Sequence, residues 1–303
     1  MAGKQALGDQ ERFPPGTVAV LGLPYDEHSS FMRGTALAPS HIRQALHSGE
    51  VNLSAESGAD LGDEARLRDV GDLGIETGAG ALEQIEHAVA DLLSRGARVL
   101  SLGGDHAVTL PVIRAYAKNF DDLNLLHLDA HPDLYDEFEG DRYSHACPFA
   151  RIMEEGLASR LVQVGIRTMN PHQRAQAERL GVEVVEMRQW SPGLGLRFDG
   201  PLYLSLDMDV LDPAFAPGVS HHEPGGLSTR EVIGLIQELE APLVGADIVE
   251  LNPERDLVGM TAMAAAKLLK EVTAKMLASS LKPRPLQGGN AWDLQQASRK
   301  VDW

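Results

Sequence analysis

The chain has 303 residues, 43% of them apolar, enough for one large core, and a formal net charge of -17. An acidic chain repels a phosphate backbone and attracts a cation, so nucleic acid is excluded as a partner and a small cationic ligand is favoured. No run of about 18 apolar residues is present, which argues against a membrane-spanning helix, and the single cysteine, Cys147, excludes intrachain disulfides and fits a reducing cytosol.

Residues 1–16 are polar, lack an apolar signal core and read as a short leader. Short apolar runs then alternate with helical patterns. The runs at 17–24, 98–104, 123–129, 160–167, 182–187, 201–207 and 242–251 predict strands. They are continuous rather than alternating, as in a parallel sheet covered on both faces. Helical spacing predicts helices over 81–95, 108–118, 171–180, 228–239 and 261–281, and Ser228 with Glu231 forms a capping-box signature. This rhythm implies one three-layer α/β domain over 17–282. A Pro-x-Pro break then opens a polar C-terminal tail at 283–303.

Ligands of parallel sheets sit outside the carboxyl ends of the strands, and here those ends are rich in acids. GGDHAVT places Asp105 and His106 after the strand at 98–102. DAHPDLYD places Asp129, His131, Asp133 and Asp136 after the strand at 123–128. DMDVLDP places Asp207, Asp209 and Asp212 after the strand at 202–206. Any one piece alone reads as a turn or a helix cap, Asp105 among them. Their coincidence at three strand ends is different, because buried carboxylates repel one another and need cations. Asp129, His131 and Asp133 are spaced i, i+2, i+4, and Asp207 and Asp209 i, i+2, so extended backbone would turn each group to one side. With His106 this makes four carboxylates and two imidazoles. That is too many for one tetrahedral zinc and suits two divalent ions. Oxygen-rich ligation with some imidazole favours manganese, with nickel, cobalt and iron as alternatives.

Such a pair ionises a water near neutral pH and predicts a hydrolase. Phosphate is disfavoured by the lack of an Arg/Lys cluster near these ligands. Asp136, Glu137, Glu139, Asp141 and Glu250 instead make the mouth acidic, which suits a guanidinium.

These residues resemble the ureohydrolase family, which includes arginase, agmatinase and guanidinobutyrase. The likeness spans nearly the whole chain, from LGLPYDEHSSFMRGTALAPSHIR (21–43) to the helix after DIVELNP. It is closest to plant-type arginases and agmatinase-like bacterial members, through LDAHPDLYDEFEGDRYSHACPFARI (128–152) and LDPAFAPGVSHHEPGGLS (211–228). The resemblance implies an αβα sandwich around a parallel, mainly eight-stranded sheet, two Mn²⁺ per subunit and a homo-oligomer, trimeric or hexameric. It implies one ion on His106, Asp129, Asp133 and Asp207, and the other on Asp129, His131, Asp207 and Asp209. It implies that Asp133 orients the attacking hydroxide, that Glu250 binds the guanidinium and that His145 carries a proton to the leaving amine.

Two positions bear on the substrate. His221 matches the plant-type pattern and is expected at the substrate, as is Asp136. Asp141 stands where plant-type arginases tend to have Asn. At the far end of the substrate, an acid there would repel an α-carboxylate and accept a bare ammonium. The expectation is therefore a cytoplasmic agmatinase releasing urea and putrescine, with arginase and then guanidinobutyrase as alternatives.

Overall fold

The computed structural model of the chain describes residues 12–279. The expected tail at 283–303 and residues 1–11 of the expected leader lie outside them. Phe13 is not part of a free leader: its N–H donates to the Arg95 carbonyl (2.9 Å) and its ring lies 4.8 Å from the Arg95 guanidinium.

The strands are β1 (Val18–Gly22), β2 (Leu67–Asp72), β3 (Arg98–Leu102), β4 (Asn124–Leu128), β5 (Arg160–Ile166), β6 (Glu183–Glu186), β7 (Leu202–Asp207) and β8 (Leu243–Val249). They form one eight-stranded sheet in the order β2-β1-β3-β8-β7-β4-β5-β6, and every neighbouring pair is parallel. The helices are α1 (Ala38–Leu46), α2 (Ala81–Ser94), α3 (Thr109–Ala117), α4 (Pro148–Glu154), α5 (Pro171–Leu180), α6 (Thr229–Glu238) and α7 (Met260–Ala278). None of the described helices is long and apolar enough to cross a membrane.

Alternate residues of a strand point to opposite faces. Leu100, Leu126, Leu204 and Ile248 pack with Ile42 of α1, Val232 of α6 and Val272 of α7. Val99, Leu125 and Tyr203 pack with Ile85 of α2, Ile113 of α3, Phe149 of α4 and Ala177 of α5. Three layers result. Coverage on both faces is the reason these strands read as unbroken apolar runs.

Three elements depart from the sequence expectation. The strand β2 lies at the sheet edge, where Asp69 and Asp72 face out to the Arg43 guanidinium, so it carries little apolar signal. The helix α1 buries only Ala38, Pro39 and Ile42, and α4 has seven residues, too few for a period to show.

The carboxyl ends of β1, β3 and β8 are joined backbone to backbone. Asp105 N–H donates to Tyr25 O, Gly103 N–H to Ile248 O and Glu250 N–H to Gly104 O. A Cβ on Gly104 would stand 1.7 Å from the Tyr25 carbonyl oxygen. Gly104→Ala is therefore expected to destabilise the fold by about 3 kcal/mol and lower the midpoint of chemical denaturation. Gly234→Ala, on α6 with nothing within 4 Å of the added carbon, is the control and should leave the midpoint level or raise it.

Candidate metal centre

The four central strands β3, β8, β7 and β4 end side by side, and each end delivers polar side chains to one cleft. His106 starts a 3₁₀ turn after β3, capped by Asp105, whose carboxylate accepts the Ala107 N–H (3.1 Å). Asp129, His131 and Asp133 follow β4, Asp207 ends β7, and Glu250 follows β8. Turns, not extended backbone, aim these groups. Asp207 caps a 3₁₀ turn over Met208–Val210, and Asp133 takes a φ of 48°.

The structure brings all six expected ligands together, in two adjoining sets. His106 Nδ1 lies 3.2 Å from one oxygen each of Asp129, Asp133 and Asp207. His131 Nδ1 lies 2.9 Å from Asp209 Oδ2 and 3.4 Å from Asp129 Oδ1. Asp129 belongs to both sets, one oxygen to each. The backbone takes the outer oxygens: Asp207 Oδ1 accepts the Asp209 N–H (2.7 Å), and Asp209 Oδ1 accepts the Ala130 N–H (3.0 Å).

The fit to a cation shows at His106. Ser205 Oγ donates to Asp247 Oδ1 (2.7 Å) and so accepts from His106 Nε2, 2.9 Å away. The Nε2 hydrogen is thereby placed, and the buried Nδ1 is left without a hydrogen-bond partner among three carboxylate oxygens. Burial opposes a proton on His106, but Asp129, Asp133 and Asp207 outweigh it and push its pKa well up. The cluster demands positive charge there, and a divalent ion held by His106 and these carboxylates would supply it.

Sequence reasoning missed the groups beneath the ligands. Ser101, Asp247, Ser205, His127 and Gln163 are paired across β3, β8, β7, β4 and β5 in one continuous register. They form a buried polar row on the α2–α5 side of the sheet. Asp247 also accepts hydroxyl hydrogens from Thr109 (3.0 Å) and Tyr203 (2.8 Å). The Gln163 amide donates to the Pro132 carbonyl (2.6 Å) and to His127 Nδ1 (3.0 Å), so His127 Nε2–H donates to Asp129 Oδ2 (2.7 Å). A histidine within an otherwise apolar strand, LNLLHLD, was the available signal.

Asp133, His145, His221 and Glu250 line a cleft of about 220 Å³ together with Ser30, Tyr135, Phe138 and other residues. Glu250 Oε1 accepts the His106 N–H (2.8 Å) and faces His145 Nδ1 at 2.9 Å. Burial pushes the His145 pKa down, but the charge and hydrogen bond of Glu250 more than reverse this and raise it to about 9. Burial lowers the pKa of His221, whose ring lies 5.3 Å from that of His145.

Asp136 and Asp141 are not placed as expected. Neither is among the residues lining the cleft. Asp136 is bound by Arg142 (3.1 Å) and Arg151 (3.0 Å). Asp141 Oδ2 pairs with His28 Nδ1 at 2.5 Å, and its Oδ1 accepts the Tyr143 N–H at 2.8 Å. Asp136 and Asp141 are thus held outside the cleft by partners that include His28, far away in sequence, and Arg151 in a following helix, and the argument for agmatine from Asp141 loses its support.

A parallel αβα sandwich with two such ligand sets at its central strand ends is a metal-dependent hydrolase. The model of the arginase family matches residues 16–274. Arginase 1 of Arabidopsis thaliana is 48% identical over 278 residues, covering 86% of this chain and 81% of that protein, and an agmatinase of Neisseria meningitidis is 37% identical over 269 residues, covering 84% and 85%. The solved arginase of Medicago truncatula superposes with a TM-score of 0.82 at 44% identity, covering 86% of this chain and 87% of that one. The chain belongs to the arginase family, the ureohydrolases that act on guanidino compounds.

The expected cytoplasmic location is overturned. Arginases 47–48% identical to this chain, from Arabidopsis thaliana and rice, are named mitochondrial or chloroplastic/mitochondrial. A lone cysteine fits any reducing compartment and does not single out the cytosol.

Ser205→Ala removes the acceptor that holds His106 in its tautomer. Metal affinity is expected to fall about 10–100-fold in a chelator-competition titration, with the circular dichroism of the fold unchanged.

Proposed function

We propose that the chain hydrolyses arginine to ornithine and urea, with manganese as its ion. The observation that carries this reading is the placement of Asp141, which is engaged by His28 Nδ1 and lies outside the residues that line the cleft. A carboxylate there does not meet the far end of a substrate, so nothing at this position selects agmatine over arginine. The identity to plant arginases, 48% against 37% for an agmatinase, supports the same choice. Four carboxylates with two imidazoles suit manganese. We assign the ions to His106, Asp129, Asp133 and Asp207, and to Asp129, His131, Asp207 and Asp209.

When bound, the ion pair supplies Lewis acidity and a hydroxide at neutral pH. The remaining tasks fall to the protein. Glu250 Oε1 is taken by His106 N–H and His145, which leaves Oε2 to bind guanidinium N–H groups by a charge-assisted bond. Its φ of 64° is held by the bond from its N–H to the Gly104 carbonyl. A strained backbone locked in this way keeps the carboxylate fixed against the guanidinium. Asp133, at the cleft wall, both completes an ion site and can accept a hydrogen bond from the attacking hydroxide. His145 supplies the proton that the departing amine needs, since Glu250 keeps it protonated at neutral pH.

Urea release measured across arginine, agmatine and guanidinobutyrate is expected to give the highest kcat/KM for arginine; a higher value for agmatine would overturn the assignment. His145→Ala is expected to lower kcat about 100-fold or more while metal analysis still finds the wild-type content. Loss of the ions along with activity would contradict the shuttle role.

A further inference from the structure

The histidine assigned to proton transfer has one ring nitrogen committed and one engaged by a residue with no role so far. His145 Nδ1 faces Glu250 Oε1 at 2.9 Å, and His145 Nε2 lies 2.8 Å from the hydroxyl of Ser30. Ser30 lines the same cleft. Glu250 is a carboxylate and accepts, so Nδ1 carries a hydrogen that stays in that bond. Any proton His145 exchanges passes through Nε2, and there Ser30 stands.

The loop bearing Ser30 is fastened at several points. The buried Asp105 carboxylate accepts the His28 N–H (3.0 Å) and the Ser29 hydroxyl (3.3 Å) through the same oxygen. The His145 N–H donates to the His28 carbonyl (3.1 Å), so the loop is tied directly to the histidine's own backbone. Asp26 Oδ2 accepts the Gly34 N–H (2.7 Å) and closes the loop at its other side. A hydroxyl on a loop held this way is a fixed part of the site.

We propose that Ser30 is a positioning residue for proton transfer, its hydroxyl linking His145 Nε2 to the water of the cleft. The proposal rests on the reading of His145 as the proton carrier. The overall balance makes such a link necessary. One guanidinium and one water become urea and an ammonium, so both hydrogens of the consumed water end on the leaving nitrogen. One is lost when the water is ionised and has to be returned through a group that exchanges with solvent. The imidazolium gives its Nε2 proton to the amine as the C–N bond breaks, and the relay then recharges the neutral ring: the Ser30 hydrogen passes to Nε2 while Ser30 Oγ takes, through a cleft water, the proton released when the attacking water was ionised. The hydroxyl and the imidazolium are both regenerated, and no hydroxide is left behind. Glu250, Asp105 and Asp133 face the ring and favour its charged form, which His221 opposes only when protonated.

The test uses the metal-loaded full chain with arginine, comparing wild type, Ser30→Ala, Ser30→Thr, His145→Ala and the Ser30→Ala/His145→Ala double variant. Ser30→Ala is expected to lower kcat about tenfold with KM and metal content within about twofold of wild type. The alkaline limb of its kcat profile should move to lower pH, because the protonated ring loses its hydrogen-bond acceptor. Ser30→Thr, which keeps the hydroxyl, should restore both. The double variant should be no slower than His145→Ala. Wild-type kcat and pH profile in Ser30→Ala, failure of Ser30→Thr to rescue, or a double variant slower than His145→Ala by the full tenfold would each overturn the relay. If His145→Ala itself keeps wild-type kcat, the carrier reading fails first, and the two failures are told apart by that single variant.

Discussion

Four carboxylates buried at the end of one sheet constrain everything else in this molecule. Asp129, Asp133, Asp207 and Asp209 are each under a tenth exposed, and they stand within reach of the same two imidazoles. Their titration is pulled in opposite directions. Burial, then Asp209 and Asp129, push Asp207 well above the usual carboxylate range. Burial pushes Asp129 up as well, but His127, His106 and His131 overcome it and hold the group well below. Both directions express one shortage, that of positive charge among buried carboxylates at the floor of the cleft. Two divalent cations meet it, and the sheet is built to present the carboxylates to them.

That presentation takes several layers of support. The polar row from Ser101 to Gln163 sits one residue below the last apolar layer of the strands, where a side chain of either kind fits the pleat. Most of the row is satisfied from within: Asp247 accepts three hydroxyls and the Gln163 amide N–H donates to His127, while Ser101 Oγ and Gln163 Oε1 are left without partners. The direction of each bond then sets a tautomer and so a lone pair: Nδ1 of His106 toward the ions, Nε2–H of His127 toward Asp129. Left-handed backbone at Asp133 and Glu250 is the other element of support. Each such residue costs of order 1–3 kcal/mol and persists only where the surroundings hold it, here through bonds such as Glu250 N–H to Gly104 O. The site draws on the stability of the sheet it terminates.

Much of this was legible in the sequence, for identifiable reasons. The six inner strands bury both faces and therefore read as apolar runs, the half-buried edge strand β6 still shows through Val184 and Val185, and the acids at the ends of β4 and β7 break their runs abruptly. Asp129 to Asp133 and Asp207 to Asp209 are visible because ligands come in clusters along the chain. The edge strand β2 was not visible, since exposure on the Arg43 side replaces apolar residues with Asp69 and Asp72. His127, Ser205 and Asp247 were hidden for the opposite reason, as single polar residues inside apolar segments. The pairing of Asp141 with His28 spans 113 residues. Nothing in the local sequence reveals it, and without it Asp141 looks like a free charge that selects agmatine. Local chemistry was readable where neighbours in sequence act together, and misread where a distant partner draws a side chain away from the cleft.

The two ends of the cleft differ in the same way. Its ion and guanidinium end is made of strand termini, where the N–H groups of Ala130, His106, Asp209 and His131 fix the carboxylates of Asp209, Glu250, Asp207 and Asp129. The opposite wall is made of loop residues such as Phe138 and Glu223, and of Gln173 in the first turn of α5, whose positions depend on side-chain pairs between loops. Changing a strand terminus disturbs the sheet and the ions together. Changing a loop residue of that wall such as Phe138 or Glu223 alters what the far end of a substrate meets and leaves the strand ends in place. An arrangement of this kind keeps one reaction on the guanidinium carbon while the tail it accepts varies.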